Sequence, residues 1–228
     1  MSIKAVLFDL DDTLWPVETV IMQAELTLHQ WMDVHAPGIA QHHTIESLRK
    51  RRQALVKTNP RFEYDLWALR HTMLSQVFHE YGSDQSLADQ AMAVFADARN
   101  KVQLYDEVIP VLNQLQTQVS LGSISNGFAD LQAIGLAPYF KVSLAAHSFG
   151  CAKPDPRIFT AACAALNLLP QQVLFVGDDL ALDVAAAQQV GMQGVWMNRR
   201  NLKPEDTRHQ HVKPDVTISN LHQIFTYL

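Results

Sequence analysis

The sequence predicts an α/β fold: a parallel sheet covered by helices on both faces, three layers in all, with a helical block inserted after its first strand. Two observations carry this. Short apolar runs at 3–8 (IKAVLF), 119–124 (VSLGSI), 142–146, 173–176 (VLFV) and 194–197 (GVWM) alternate with stretches of helical periodicity. Between the first run and the rest, residues 16–101 show the helical period alone.

Residues 3–8 are short, apolar and β-branched, as a strand buried on both faces requires. From Val17 the apolar positions Val20, Ile21, Ala24, Leu28, Trp31 and Met32 recur at helical spacing. Pro37-Gly38 breaks that helix. A second helix is expected over 44–57, with Ile45, Leu48, Leu55 and Val56 on one side. A third should begin after Pro60 and carry Phe62, Leu66, Leu69, Met73, Val77 and Phe78 inward, ending at Tyr81-Gly82. Ser83 or Asp84 could cap a fourth through Leu87, Ala91, Val94, Phe95 and Ala98. Beyond it, helices at 106–117, before 142, at 156–167 and at 182–190 separate the strands. A short strand at 215–219 and a helix close the chain. The expected division is therefore a core from residues 1–15 and 102–228, with a helical domain from 16–101.

Composition narrows the function. With 228 residues and 48% hydrophobic content, the chain can bury one sizeable core with a smaller lobe beside it. A net charge of −5 argues against nucleic acid or an anionic membrane as partner. No apolar run approaches the roughly 18–20 residues of a membrane-spanning helix. Asp9 stops the first apolar stretch too early for a secretory signal. Two cysteines, Cys151 and Cys163, do not make a disulfide framework, so a reduced, cytoplasmic protein is expected.

Ligands of an open parallel sheet bind beyond the carboxyl ends of its strands. Those ends carry, in order, Asp9-Leu10-Asp11-Asp12-Thr13, Ser125-Asn126-Gly127, the loop HSFGCAKPDP with Lys153, and Gly177-Asp178-Asp179 with Asp183 beyond. Each is unremarkable alone: Asp12 or Thr13 could cap a turn, and Ser125-Asn126-Gly127 is ordinary turn sequence. Together they place several carboxylates on one sheet edge, where they repel unless a cation sits among them. Ligands that are all oxygen favour Mg²⁺. In an extended segment, a spacing of two puts Asp9 and Asp11 on the same side.

In these four motifs, DLDDT, ISN, KPDP and GDDLALD, the sequence resembles the haloacid dehalogenase superfamily of phosphoryl-transfer hydrolases. The resemblance spans the chain and implies a Rossmann-like core with a helical cap of the C1 type. It implies a Mg²⁺-dependent phosphatase acting on a small phosphorylated metabolite, such as a sugar phosphate, a flavin precursor or FMN. Asp9 would be the nucleophile that becomes an aspartyl phosphate, and Asp11 the general acid and base. Asp9, the backbone carbonyl of Asp11, and Asp178 would ligate the metal, with Asp179 or Asp183 holding a metal-bound water. Ser125 and Lys153, beside Asn126, would bind phosphate. Position 12 is commonly Gly in the family and is Asp here; the DxDDT variant also occurs.

Other readings divide by their residues. True 2-haloacid dehalogenases lack an acid/base aspartate two residues after the nucleophile, so Asp11 argues against dehalogenation. A phosphomutase uses the same core. Phosphonate hydrolases need a cap lysine, and nothing marks Lys50 or Lys57 as buried. A phosphoaspartate receiver domain, which would be a switch and not an enzyme, orders its motifs differently and has no such insertion. Substrate choice is expected in the helical block, from Arg61, Tyr64, Trp67, Arg70 and His71 on its third helix, with Trp15 at the hinge. Arg49-Lys50-Arg51-Arg52 is expected to be a solvated helix surface. A monomer or homodimer fits this reading.

Overall fold

The computed structural model describes residues 2–84, 86–203, 207 and 209–228, and divides the chain into two compact units. The first comprises Met1–Pro16, Gln103–Gly127 and Gly135–Leu228; the second comprises Val17–Val102 with Phe128–Ile134.

The first unit is built on a parallel sheet. Among the described residues its strands are β1 (Ala5–Phe8), β2 (Ser120–Ser125), β3 (Val142–Ala145), β4 (Val173–Gly177), β5 (Gln193–Met197) and β6 (Val216–Ile218), in the order β3-β2-β1-β4-β5-β6. Every neighbouring pair is parallel, with Ala5 opposite both Ser120 and Val173. The whole of β1 is inaccessible to water. Ala5 and Leu7 join Ile124, Phe175, Ile158 and Phe159 in one apolar cluster, and strand alternation sends Val6 and Phe8 to the opposite face. Both faces are covered, so these strands read as continuous apolar runs rather than as alternation. The order reverses at β1, where the chain first adds β2 and β3 on one side and then β4 and β5 on the other. That switch point opens a crevice at the carboxyl ends of β1 and β4.

The second unit holds α1 (Val17–His35), α2 (Pro37–His42), α3 (Ile45–Val56), α4 (Leu66–Glu80) and α5 (Ser86–Arg99). The anticipated stripes are its core: Ala24, Leu28 and Met32 meet Met73, Val77, Phe78, Ala91 and Phe95. Where four helices were expected over 16–101, the described residues of that stretch form five α-helices, because Pro37 sits in the first turn of α2, where its missing N–H costs nothing. Pro60 instead starts a single 3₁₀ turn (Pro60–Glu63), and α4 begins only after Asp65, whose carboxylate accepts the Ala68 N–H at 2.8 Å. Asp84 does accept from the first turn of α5, at Ser86 N–H, 2.8 Å.

The basic run on α3 is not simply a solvated surface. Arg49 and Arg52 reach across to Glu25 of α1 (2.6 and 3.1 Å), and Arg51 pairs with Glu80 of α4 (2.5 Å). Arg70 of α4 lies 3.5 Å from the same Glu25 and stacks over the Phe95 ring at 3.6 Å. Burial lowers the Arg70 guanidinium to about 9, so it keeps its charge at neutral pH. Phe128–Ile134 belongs to this unit through Phe128, edge-on to Trp67 at 5.5 Å and tilted against Phe95 at 6.1 Å. The helix expected before residue 142 shrinks to a single turn, α6 being reserved for Val108–Leu115 and α7 for Leu131–Ile134.

Candidate active site

The site begins where β1 emerges. Asp9 still takes part in the sheet, its N–H donating to Val176 at 2.8 Å, but its side chain has left the apolar layer. Lys153 meets it from the loop between α8 (Ala146–Phe149) and α9 (Pro156–Leu166): Nζ lies 2.5 Å from Asp9 Oδ1 and 2.6 Å from Asp183 Oδ1. All three are buried. A lone buried lysine is costly; two carboxylates make it stable. Burial disfavours the lysine charge, yet Asp183 and Asp9 outweigh that and raise its pKa.

Asp183 reaches this position through an unusual turn. The helix expected over 182–190 opens with a π-helical turn, Leu180–Ala185, before α10 (Ala186–Gln189). Asp179 caps the turn, its Oδ1 accepting the Ala181 and Leu182 N–H groups, while Asp183 Oδ2 accepts the Asp179 N–H at 3.0 Å. Gly177 makes this approach possible, since a Cβ there would run into the Asp183 carboxylate.

One cavity of about 190 Å³ gathers Asp9, Asp11, Ser125, Asn126, Lys153, Asp178, Asp179 and Asp183, with Asp12, Gly127 and Leu182. Every residue expected to act in catalysis, phosphate binding or metal binding is in it; Trp15, expected to act in substrate choice, is not. Carboxylate oxygens of Asp9, Asp178 and Asp183 lie within 4.8 Å of one another. Burial, with Asp183 and Asp11 adding to it against Lys153, pushes Asp9 up to about 7. Burial, then Asp9, Asp183 and Asp12, push Asp178 up to about 8. One ammonium does not neutralise this cluster. A divalent cation with oxygen ligands fits that charge and that spacing.

Three of the expected residues hold neighbours in place. The Asn126 amide donates to the Lys153 carbonyl (3.0 Å) and accepts its N–H (2.8 Å), so both of its ends fix the lysine loop. The Asp179 carboxylate is occupied at its helix cap. Trp15 is fully buried and donates its indole N–H to Asp11 Oδ1 at 2.8 Å, so it does not present a surface to substrate. Ser125 accepts the Gly127 N–H at 3.0 Å, and a hydroxyl so engaged can still donate.

The helical unit presents its own groove, about 370 Å³, lined by Trp67, Ala68, His71, Thr72, Asp89, Met92 and Ala93, with His71 Nε2 2.8 Å from Asp89 Oδ1. Arg61 is tied to Asp65 at 2.7 Å, and neither it nor Tyr64 lines this groove. Lys50 and Lys57 are exposed. Sequence reasoning missed Trp196, whose indole N–H donates to the Asp178 carbonyl at 2.9 Å, and Gly177. Their only signal was position: Gly177 directly precedes Asp178, and Trp196 lies near the end of the run at 194–197.

A haloacid dehalogenase-like hydrolase family model matches residues 3–191. The chain belongs to this hydrolase family. Within it, the chain is 30% identical to the 5-amino-6-(5-phospho-D-ribitylamino)uracil phosphatase of Escherichia coli, over 96% of this chain and 93% of that protein. It is 31% identical to the glyceraldehyde 3-phosphate phosphatase of Methanopyrus kandleri, over 95% and 93%. The crystal structure of a 2-haloacid dehalogenase from Pseudomonas syringae superposes with a TM-score of 0.91 at 37% identity, covering 99% of this chain and 97% of that one. The family thus supplies both phosphatases and dehalogenases as relatives. Among the described residues, no helix of this hydrolase is long and apolar enough to cross a membrane.

Proposed function

We propose that this family member is a Mg²⁺-dependent phosphatase that hydrolyses a small phosphorylated metabolite through an aspartyl-phosphate intermediate. The observation that supports it is Asp11, a second carboxyl lining the cavity two residues beyond Asp9. A dehalogenation needs no acid for its leaving halide, whereas an alkoxide leaving a phosphate ester does.

In the first half-reaction an Asp9 oxygen attacks phosphorus. A bond from Asp9 to phosphorus forms as the ester P–O bond breaks, and Asp11 gives its proton to the leaving oxygen, releasing an alcohol. In the second, water attacks the same phosphorus, Asp11 takes the water proton, and the bond to Asp9 breaks to release inorganic phosphate. Lys153 balances charge on Asp9 and on the transferring group, and Ser125 offers it a hydroxyl proton. Asp9, Asp178 and the Asp11 backbone carbonyl would hold Mg²⁺, which when bound neutralises charge developing on the phosphoryl oxygens.

In this reading residues 1–15 and 102–228 form the catalytic core and 16–101 the substrate-choosing cap. Trp67, on the cap, is the residue whose replacement by Ala should alter the choice among phosphate esters. The Escherichia coli relative makes the phosphate of a ribitylaminouracil the first substrate to assay. The Pseudomonas likeness favours a second reading, hydrolysis of a 2-haloacid. Parallel assays for phosphate and halide release separate the two. Phosphate release that needs Mg²⁺ and is lost in Asp9→Asn supports the phosphatase. Halide release without phosphate release rejects it.

A further inference from the structure

We propose that Trp15 aims the Asp11 carboxyl and is a positioning residue for proton transfer to the leaving oxygen. The inference rests on the phosphatase reading and adds a residue to it.

Residues 11–15 form a turn closed at both ends. The Trp15 Nε1–H donates to Asp11 Oδ1 at 2.8 Å, and the Asp12 N–H donates to the Trp15 carbonyl at 2.7 Å. Backbone bridging also pairs Asp11 with Trp15. The middle of the turn is gripped independently. Arg199 donates to the Thr13 carbonyl through Nη2 and Nε, at 2.8 and 3.2 Å. Arg199 is itself fixed, 2.6 Å from Glu107 and stacked over the Tyr105 ring at 3.7 Å. The indole therefore has little freedom to move away from the carboxyl it contacts.

The chemistry of the pair sets the roles of the two oxygens. Indole nitrogen donates and never accepts. The Asp11 oxygen that receives its N–H is thereby an acceptor, and the acidic proton is directed to the other oxygen, Oδ2. In the first half-reaction the Oδ2–H bond breaks, its proton goes to the leaving oxygen, and the ester P–O bond breaks with it. In the second, Oδ2 takes a proton from water. Trp15 keeps its own proton throughout. The cost of a carboxyl held in the wrong rotamer should then depend on how much the leaving group needs a proton.

Trp15→Phe keeps the ring and removes the donor. The measurement is kcat/KM for an alkyl phosphate, whose leaving alkoxide needs a proton, and for p-nitrophenyl phosphate, whose leaving phenolate does not. We expect the alkyl phosphate to lose about 10-fold more than p-nitrophenyl phosphate, within the range that general acids contribute. The ratio of the two values on one preparation is independent of the folded fraction, so partial misfolding does not mask it. If Trp15→Phe gives no folded protein, Arg199→Gln loosens the same turn and should shift the ratio in the same direction. Equal losses on both esters, or none, would overturn the role of Trp15. A wild-type protein inert toward both esters would instead reject the phosphatase reading.

Discussion

Asp12 occupies a backbone conformation that most side chains avoid, with φ at +58°. This explains the residue type without any catalytic role: Gly, Asn and Asp enter the left-handed region at low cost, and β-branched residues do not. Asp12→Gly should change unfolding free energy by less than about 1 kcal/mol, and Asp12→Val should lower it by about 1–3 kcal/mol, both read from denaturant melts. The acidic cluster makes a second prediction at this scale. Folding raises Asp9 from 3.8 to about 7 and Asp178 from 3.8 to about 8, so the folded chain binds more protons than the unfolded one. With metal chelated, stability should rise as pH falls from about 8 towards 4. Asp178→Asn should flatten that slope. A chelated protein that melted lower at pH 6 than at pH 8 would contradict the assignment.

Among elements, α3 and the turn at 180–185 show what a one-dimensional pattern hides. The apolar stripe of α3 was readable, but its arginines face three different carboxylate contacts because α1 and α4 happen to present Glu25 and Glu80 there. Burial opposes ionisation of Glu25, but its bonds from Arg49 and Arg52 and the charge of Arg70 bring its pKa below the ordinary 4.5. That contribution is present above pH 4.5 and is lost as pH falls below it. Glu25→Gln should cost about 3 kcal/mol at pH 7, because it leaves Arg70 buried with a poorer partner, and much less at pH 3. The wide turn at Leu180–Ala185 was equally invisible, since it depends on Asp183 being drawn toward Lys153 thirty residues away in sequence. Helical periodicity recorded that a helix starts there, not that its first turn is stretched.

At the scale of the molecule, the parallel sheet was legible because its central strands β1 and β4 are buried on both faces and announce themselves as apolar runs, whereas the edge strands β3 and β6 each carry an exposed residue. The site's membership followed from the rule that ligands gather at carboxyl ends, which brought Asp9, Asp11, Ser125, Lys153 and Asp178 to one cavity. The division of labour inside it did not follow. Whether an amide such as Asn126 faces a ligand or a backbone is decided by a few ångströms of loop path. The attachment of Phe128 to the helical unit was also hidden, because one aromatic after a Ser-Asn-Gly turn carries no period. Phe128→Ala should lower the stability of that unit by about 1–2 kcal/mol, detectable as an earlier thermal transition, with β1–β6 unaffected in hydrogen exchange.

The chain passes between its two units at 16/17, 102/103, 127/128 and 134/135. Excising residues 17–102 and rejoining the ends would therefore strand Phe128, one peptide bond from Gly127, and with it Leu131, without the helices of their own unit. A chimera that borrows its helical unit from another hydrolase would have to import two pieces together, the long insertion and the seven-residue splint at 128–134.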